Sequence, residues 1–106
     1  MILLMGTNLY FPEQSFARIS SGSCDSHGMK IITSQMQCER VAQFLYLSDT
    51  SAKIYGREGR PHGCVYASDN QLTWIDPTSA SFASAACGST QSRWSFDCLC
   101  LGRGNH

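Results

Sequence analysis

The chain has 106 residues, eight Lys or Arg against eight Asp or Glu, and only two lysines, Lys30 and Lys53. That is room for one domain, with no electrostatic footprint for nucleic acid or for an anionic membrane surface. Its longest apolar run, Met1–Met5, is far short of the roughly 20 residues that a spanning helix needs.

Leu, Ile, Val and Phe supply only 21 residues, close to the composition at which burial no longer offsets conformational entropy. Six cysteines in so short a chain answer that deficit, because each cross-link removes unfolded-state freedom worth about 2–4 kcal/mol. The expectation is a small disulfide-rich α+β domain formed in an oxidising compartment. The start lacks the basic and apolar stretch of a secretory signal, so this location implies that a presequence preceded Met1. The opposing reading is a cytosolic chain whose cysteines are reduced or bind metal.

Residues 1–19 carry Leu3, Leu4, Leu9, Tyr10, Phe11 and Phe16 without a cysteine or a sustained period. This apolar arm must pack on its own domain, as a strand of its sheet, or on a partner; Leu3, Leu4, Leu9, Tyr10 and Phe11 are the candidate partner-binding residues. Residues 20–101 form the six-cysteine domain and 102–106 a tail. After a polar loop at 20–28, Met29–Thr33 reads as a short strand. Ser34 and Gln37 then have the spacing of a capping box, and Cys38, Val41, Ala42 and Leu45 follow as one apolar stripe opposite Glu39, Arg40 and Gln43. This predicts a helix ending near Leu47–Ser48. A long loop follows, with a short strand around Ile54–Tyr55. Cys64–Ala67 and Leu72–Ile75, joined by Ser68-Asp69-Asn70-Gln71, predict a hairpin ended by Pro77. Residues 78–92 read as loop, and Trp94–Leu101 as a last strand with Cys98 and Cys100 on one face. The architecture expected is one α-helix packed on a short antiparallel β-sheet.

The disulfide candidates are Cys24, Cys38, Cys64, Cys87, Cys98 and Cys100, which allow fifteen pairings. Cys38 must reach a sheet or loop cysteine if the helix is stapled to the sheet, with Cys64 favoured. Cys98 and Cys100 are expected to take separate partners. A zinc site from Cys24-x-x-His27 and Cys98-x-Cys100 is disfavoured, because Cys-x-Cys on a strand is a poor clamp. No nucleophile elbow, HExxH, phosphate loop or close carboxylate pair occurs, so neither enzyme chemistry nor a cofactor is expected. Lys53, Arg57, Arg60 and His62 form the one basic cluster, read first as a solvated loop. Tyr55, Tyr66, Trp74 and Trp94 offer enough aromatic surface for a sugar or protein contact, but a thin core is expected to claim Trp74, Trp94 or both.

The helix bearing a Cys, then Gly63-Cys64-Val65-Tyr66, a polar turn, Leu72-Thr73-Trp74 and a late cysteine strand together resemble PAN/apple-like modules, over roughly residues 24–100. More closely, Cys38 with Val41-Ala42, the segment from Arg60 to Tyr66, and Asp97-Cys98-Leu99-Cys100 resemble an uncharacterised six-cysteine module of exported and plastid proteins of dinoflagellates and other unicellular algae. The resemblance implies an oxidised, non-catalytic attachment domain. Its most concrete form is a structural accessory subunit docked on a larger, membrane-associated protein complex, such as a lumenal extrinsic subunit of an algal photosystem. The alternative is a soluble carbohydrate- or protein-binding module of the apple-like kind, in the secretory pathway or outside the cell.

Overall fold

The computed structural model describes residues 15–54, 59–78, 81, 83–91 and 93–102. The described strands are β1 (Phe16–Ile19), β2 (Lys30–Ile31), β3 (Lys53–Ile54), β4 (Gly63–Ala67), β5 (Leu72–Ile75), β6 (Ser89–Gln91) and β7 (Trp94–Leu101); one α-helix, α1 (Gln35–Phe44), lies between β2 and β3. The long β7 is the spine of the sheet. On one edge it pairs antiparallel with β1 (Phe16 opposite Leu101) and with β6 (Ser89 opposite Phe96). On the other it pairs antiparallel with β4 (Val65 opposite Cys98) and with β2 (Ile31 opposite Cys100). The sheet continues outward through β5, antiparallel to β4, and ends at β3, which runs parallel to β5.

This corrects the expected short antiparallel sheet in two ways. The sheet is larger, with seven strands among the described residues, and it is mixed. It takes in residues 16–19, which the sequence assigns to the apolar arm. It also takes in Ser89–Gln91, which composition reads as loop. Those three polar residues have no apolar alternation. They are held because the edge of β7 presents unpaired backbone groups that a neighbouring strand satisfies.

The helix starts where the cap predicts: the Ser34 hydroxyl accepts the amide of Gln37 at 3.1 Å, satisfying one orphan donor of the first turn. It ends earlier than expected. Tyr46 takes a left-handed φ of 56°, and the Leu47 amide donates back to the Ala42 carbonyl at 3.0 Å, a Schellman-type closure. The apolar Leu45 and Leu47 extend the stripe beyond the helix, but the half-buried backbone turn stops it.

Strand alternation divides the core between the two faces of the sheet. On one face, Cys38, Val41 and Ala42 of α1 pack with Ile32 on Cys64, Tyr66, Leu72, Trp74 and Leu99. On the other, Ile19, Met29 and four cysteines form one cluster, and Val65, Ala67, Ile75 and Phe96 another. All six cysteines are paired: Cys38 with Cys64 across the helix–sheet interface, and Cys24 with Cys100 and Cys87 with Cys98 on the far face. Three bridges are consistent with an oxidising compartment. Two glycines are fixed by backbone. Gly63 opens β4 at φ 91° with its Cα side against Ile31, and Gly88 at φ 82° lies against the Ser20 carbonyl, so neither has room for a Cβ.

Candidate functional site

Among the described residues two surfaces stand out, one on each side of the sheet. The first is the outer side of α1. Met36, Arg40, Gln43 and Phe44 fall at i, i+4, i+7 and i+8, opposite the stripe that packs on the sheet. Met36 is 65% exposed, Phe44 66%, and Tyr46, just past the helix, 94%. They are three of the large apolar side chains that the fold leaves exposed, with Ile54 and Trp94 elsewhere on the surface. Glu39 lies at the border of this face and is already engaged, accepting the Ala52 amide at 2.8 Å. At its C-terminal end the face runs into β1, where the Phe16 ring lies 5.0 Å from Phe44, centroid to centroid. The apolar patch therefore continues to the point where residues 1–14 join the domain.

The candidate partner-binding residues Leu3, Leu4, Leu9, Tyr10 and Phe11 lie outside the described residues. Sequence reasoning assigned the docking role to them alone and missed the helix face. The signal was present: Met36 and Phe44 are eight residues apart, two helical turns on one side, where a solvated face ordinarily carries charge.

The second surface is a cleft of about 470 Å³ on the opposite face of the sheet. Its floor is Ala67 and Phe96, and its walls include Lys53, Arg60, Asp69, Gln71, Thr73 and Trp94. Register explains the convergence. Lys53 stands opposite Thr73, and Ala67 opposite Phe96, so alternate residues of β3, β5, β4 and β7 share one face. Trp94 begins β7, at the end of the β6–β7 pairing, and retains 37% exposure. Trp74, opposite Cys64 on the helix side, is 6% exposed. One tryptophan is thus core and the other is surface. Tyr66 is also buried, with its hydroxyl 2.9 Å from that of Ser48.

The basic cluster is not a uniform solvated loop. Arg60 lies over the Phe96 ring at 4.4 Å and donates from Nε to Gln91 at 3.3 Å, whereas Lys53 is exposed and 3.7 Å from Asp49. Tyr55 and Arg57 lie outside the described residues. Asp49 ties this corner together. Burial pushes its carboxyl pKa up, but the amides of Leu72 and Ser51, each donating at 3.0 Å, and the Lys53 ammonium outweigh that and hold it below the ordinary value.

His27 bonds the Ser21 carbonyl at 2.9 Å, and the His62 amide donates to Ser84 at 3.0 Å. Among the described residues no three His, Cys, Asp or Glu side chains gather as a metal site, and no helix is long and apolar enough to cross a membrane. No protein-family model, no curated protein and no solved structure matches the chain.

Proposed function

We propose that the protein is a non-catalytic structural accessory subunit, docked onto a larger assembly in an oxidising compartment, and most concretely a lumenal extrinsic subunit of an algal photosystem. The observation that carries this reading is the outer face of α1, whose exposed Met36, Phe44 and Tyr46 continue through Phe16 to the apolar arm. Covering Met36 and Phe44 would contribute about 1–2 kcal/mol each, less the cost of ordering the arm. An exposed apolar patch of this kind is available to a partner. The equal charge balance fits attachment by apolar contact and shape. The resemblance to the six-cysteine algal module supports the choice of compartment.

The test is gentle detergent extraction from the native source, followed by native separation. The chain should co-migrate with a large membrane complex containing photosystem subunits. Deleting residues 1–11, or replacing Met36 and Phe44 by Ser together, should release a folded, fully oxidised monomer. Migration of the native chain as a monomer, or retention of the double variant in the complex, would overturn the reading. Unfolding on deletion of residues 1–11 would assign the arm to the domain's own core.

A further inference from the structure

The cleft on the far face of the sheet is not used by the docking face, from which the sheet itself separates it. We propose that it binds an acidic saccharide, one whose sugar ring carries a carboxylate or a sulfate. Three features of the wall point to that chemistry. Trp94, at 37% exposure, presents an apolar ring of the size against which the C–H face of a pyranose packs. Beside it, Asp69, Gln71 and Thr73 supply acceptors and donors together, which is the need of hydroxyl groups, each of which both donates and accepts.

Among the described residues Lys53 and Arg60 line the same cleft with one carboxylate, Asp69, and the Arg93 guanidinium lies 5.6 Å from the Trp94 ring centroid; although Lys53 is also 3.7 Å from Asp49, this grouping favours a ligand with an anionic group over a neutral sugar. Arg60 is pre-set for this by its stack on Phe96 and its bond to Gln91, which lowers the ordering cost of contacting a planar acid group. The volume, about 470 Å³, is in the range of small-molecule sites.

The experiment is calorimetric titration of the full, oxidised chain with three probes: an oligogalacturonate, a sulfated galactan oligosaccharide and neutral maltotriose. Tryptophan fluorescence is followed in parallel, since Trp74 is buried and Trp94 reports the cleft. The expected result is binding of one or both acidic probes with a change in Trp94 emission, weakened by added salt. W94A should reduce the affinity about tenfold or more and K53Q should weaken it with a smaller salt dependence, both variants keeping wild-type circular dichroism. Preference for the uronate or for the sulfate names the acid group. Equal binding of maltotriose, wild-type affinity in W94A, or no binding of any probe at millimolar concentration would overturn the proposal.

Discussion

The two far-face disulfides give a comparison in which loop length is the main variable. Cys24–Cys100 spans 76 residues and Cys87–Cys98 spans 11, yet both lie in the same buried cluster with Ile19 and Met29. Replacing either pair by Ala should therefore leave similar cavities, and the difference in stability should follow the freedom returned to the unfolded chain. Because the Cys38–Cys64 and Cys87–Cys98 bridges lie within the long loop and shorten it to roughly 40 residues of free chain, chain-closure entropy gives about 3.9 kcal/mol for it and about 2.8 kcal/mol for the short one, a gap of about 1.1 kcal/mol. The assay is urea unfolding of the two double variants under non-reducing conditions, read by far-ultraviolet circular dichroism. C24A/C100A should have the lower midpoint by that margin. Equal costs, or a greater cost for C87A/C98A, would refute the argument that these bridges act mainly by constraining the unfolded chain.

Three further substitutions test the packing. Gly88→Ala should cost about 2 kcal/mol or more, because φ is 82° and the new Cβ would meet the Ser20 carbonyl; an unchanged thermal midpoint would contradict that contact. Asp49→Asn should cost about 1–3 kcal/mol at neutral pH, because one accepting oxygen then serves where two now take the amides of Leu72 and Ser51. Since the folded carboxyl titrates below its ordinary value, its stabilisation is full above about pH 4 and fades as pH falls through the folded pKa. Urea midpoints of wild type and variant should therefore converge at acid pH, and a gap that widened there would reverse the sign. Ser34→Ala should lower stability by about 1 kcal/mol through the lost cap, seen as a lower midpoint with a native-like spectrum.

The parts of the fold legible in the sequence are those set by local chemistry. Ser34 with the stripe from Cys38 to Ala42 marks a helix because cap and period agree. The alternation on either side of Ser68–Gln71 marks the β4–β5 hairpin. Placing the helix stripe on the sheet requires Cys38 to reach a sheet or loop cysteine, and the favoured partner, Cys64, is the one found. What was not legible depends on partners distant in sequence. Ser89–Gln91 is a strand only because β7 offers an edge to it, and it has no pattern of its own; a short strand at Ile54 is expected from sequence, but its parallel pairing with β5 is not. Trp74 and Trp94 look alike in sequence, both within β segments; register alone buries one under the helix and leaves the other beside the cleft. The outer face of α1 is legible too, because the positions of Met36 and Phe44 follow from the helical period.

The central claim is that this face meets a partner within a larger assembly. The most direct measurement replaces Phe44 with a photo-crosslinking phenylalanine analogue in the native source. Illumination should join the chain at that position to a subunit of the complex with which it co-migrates, and a control at Lys53, which is exposed opposite Thr73 on the far face of the sheet, should give no such product. A Phe44 analogue that yields no crosslink while the chain is held in the complex would contradict the account.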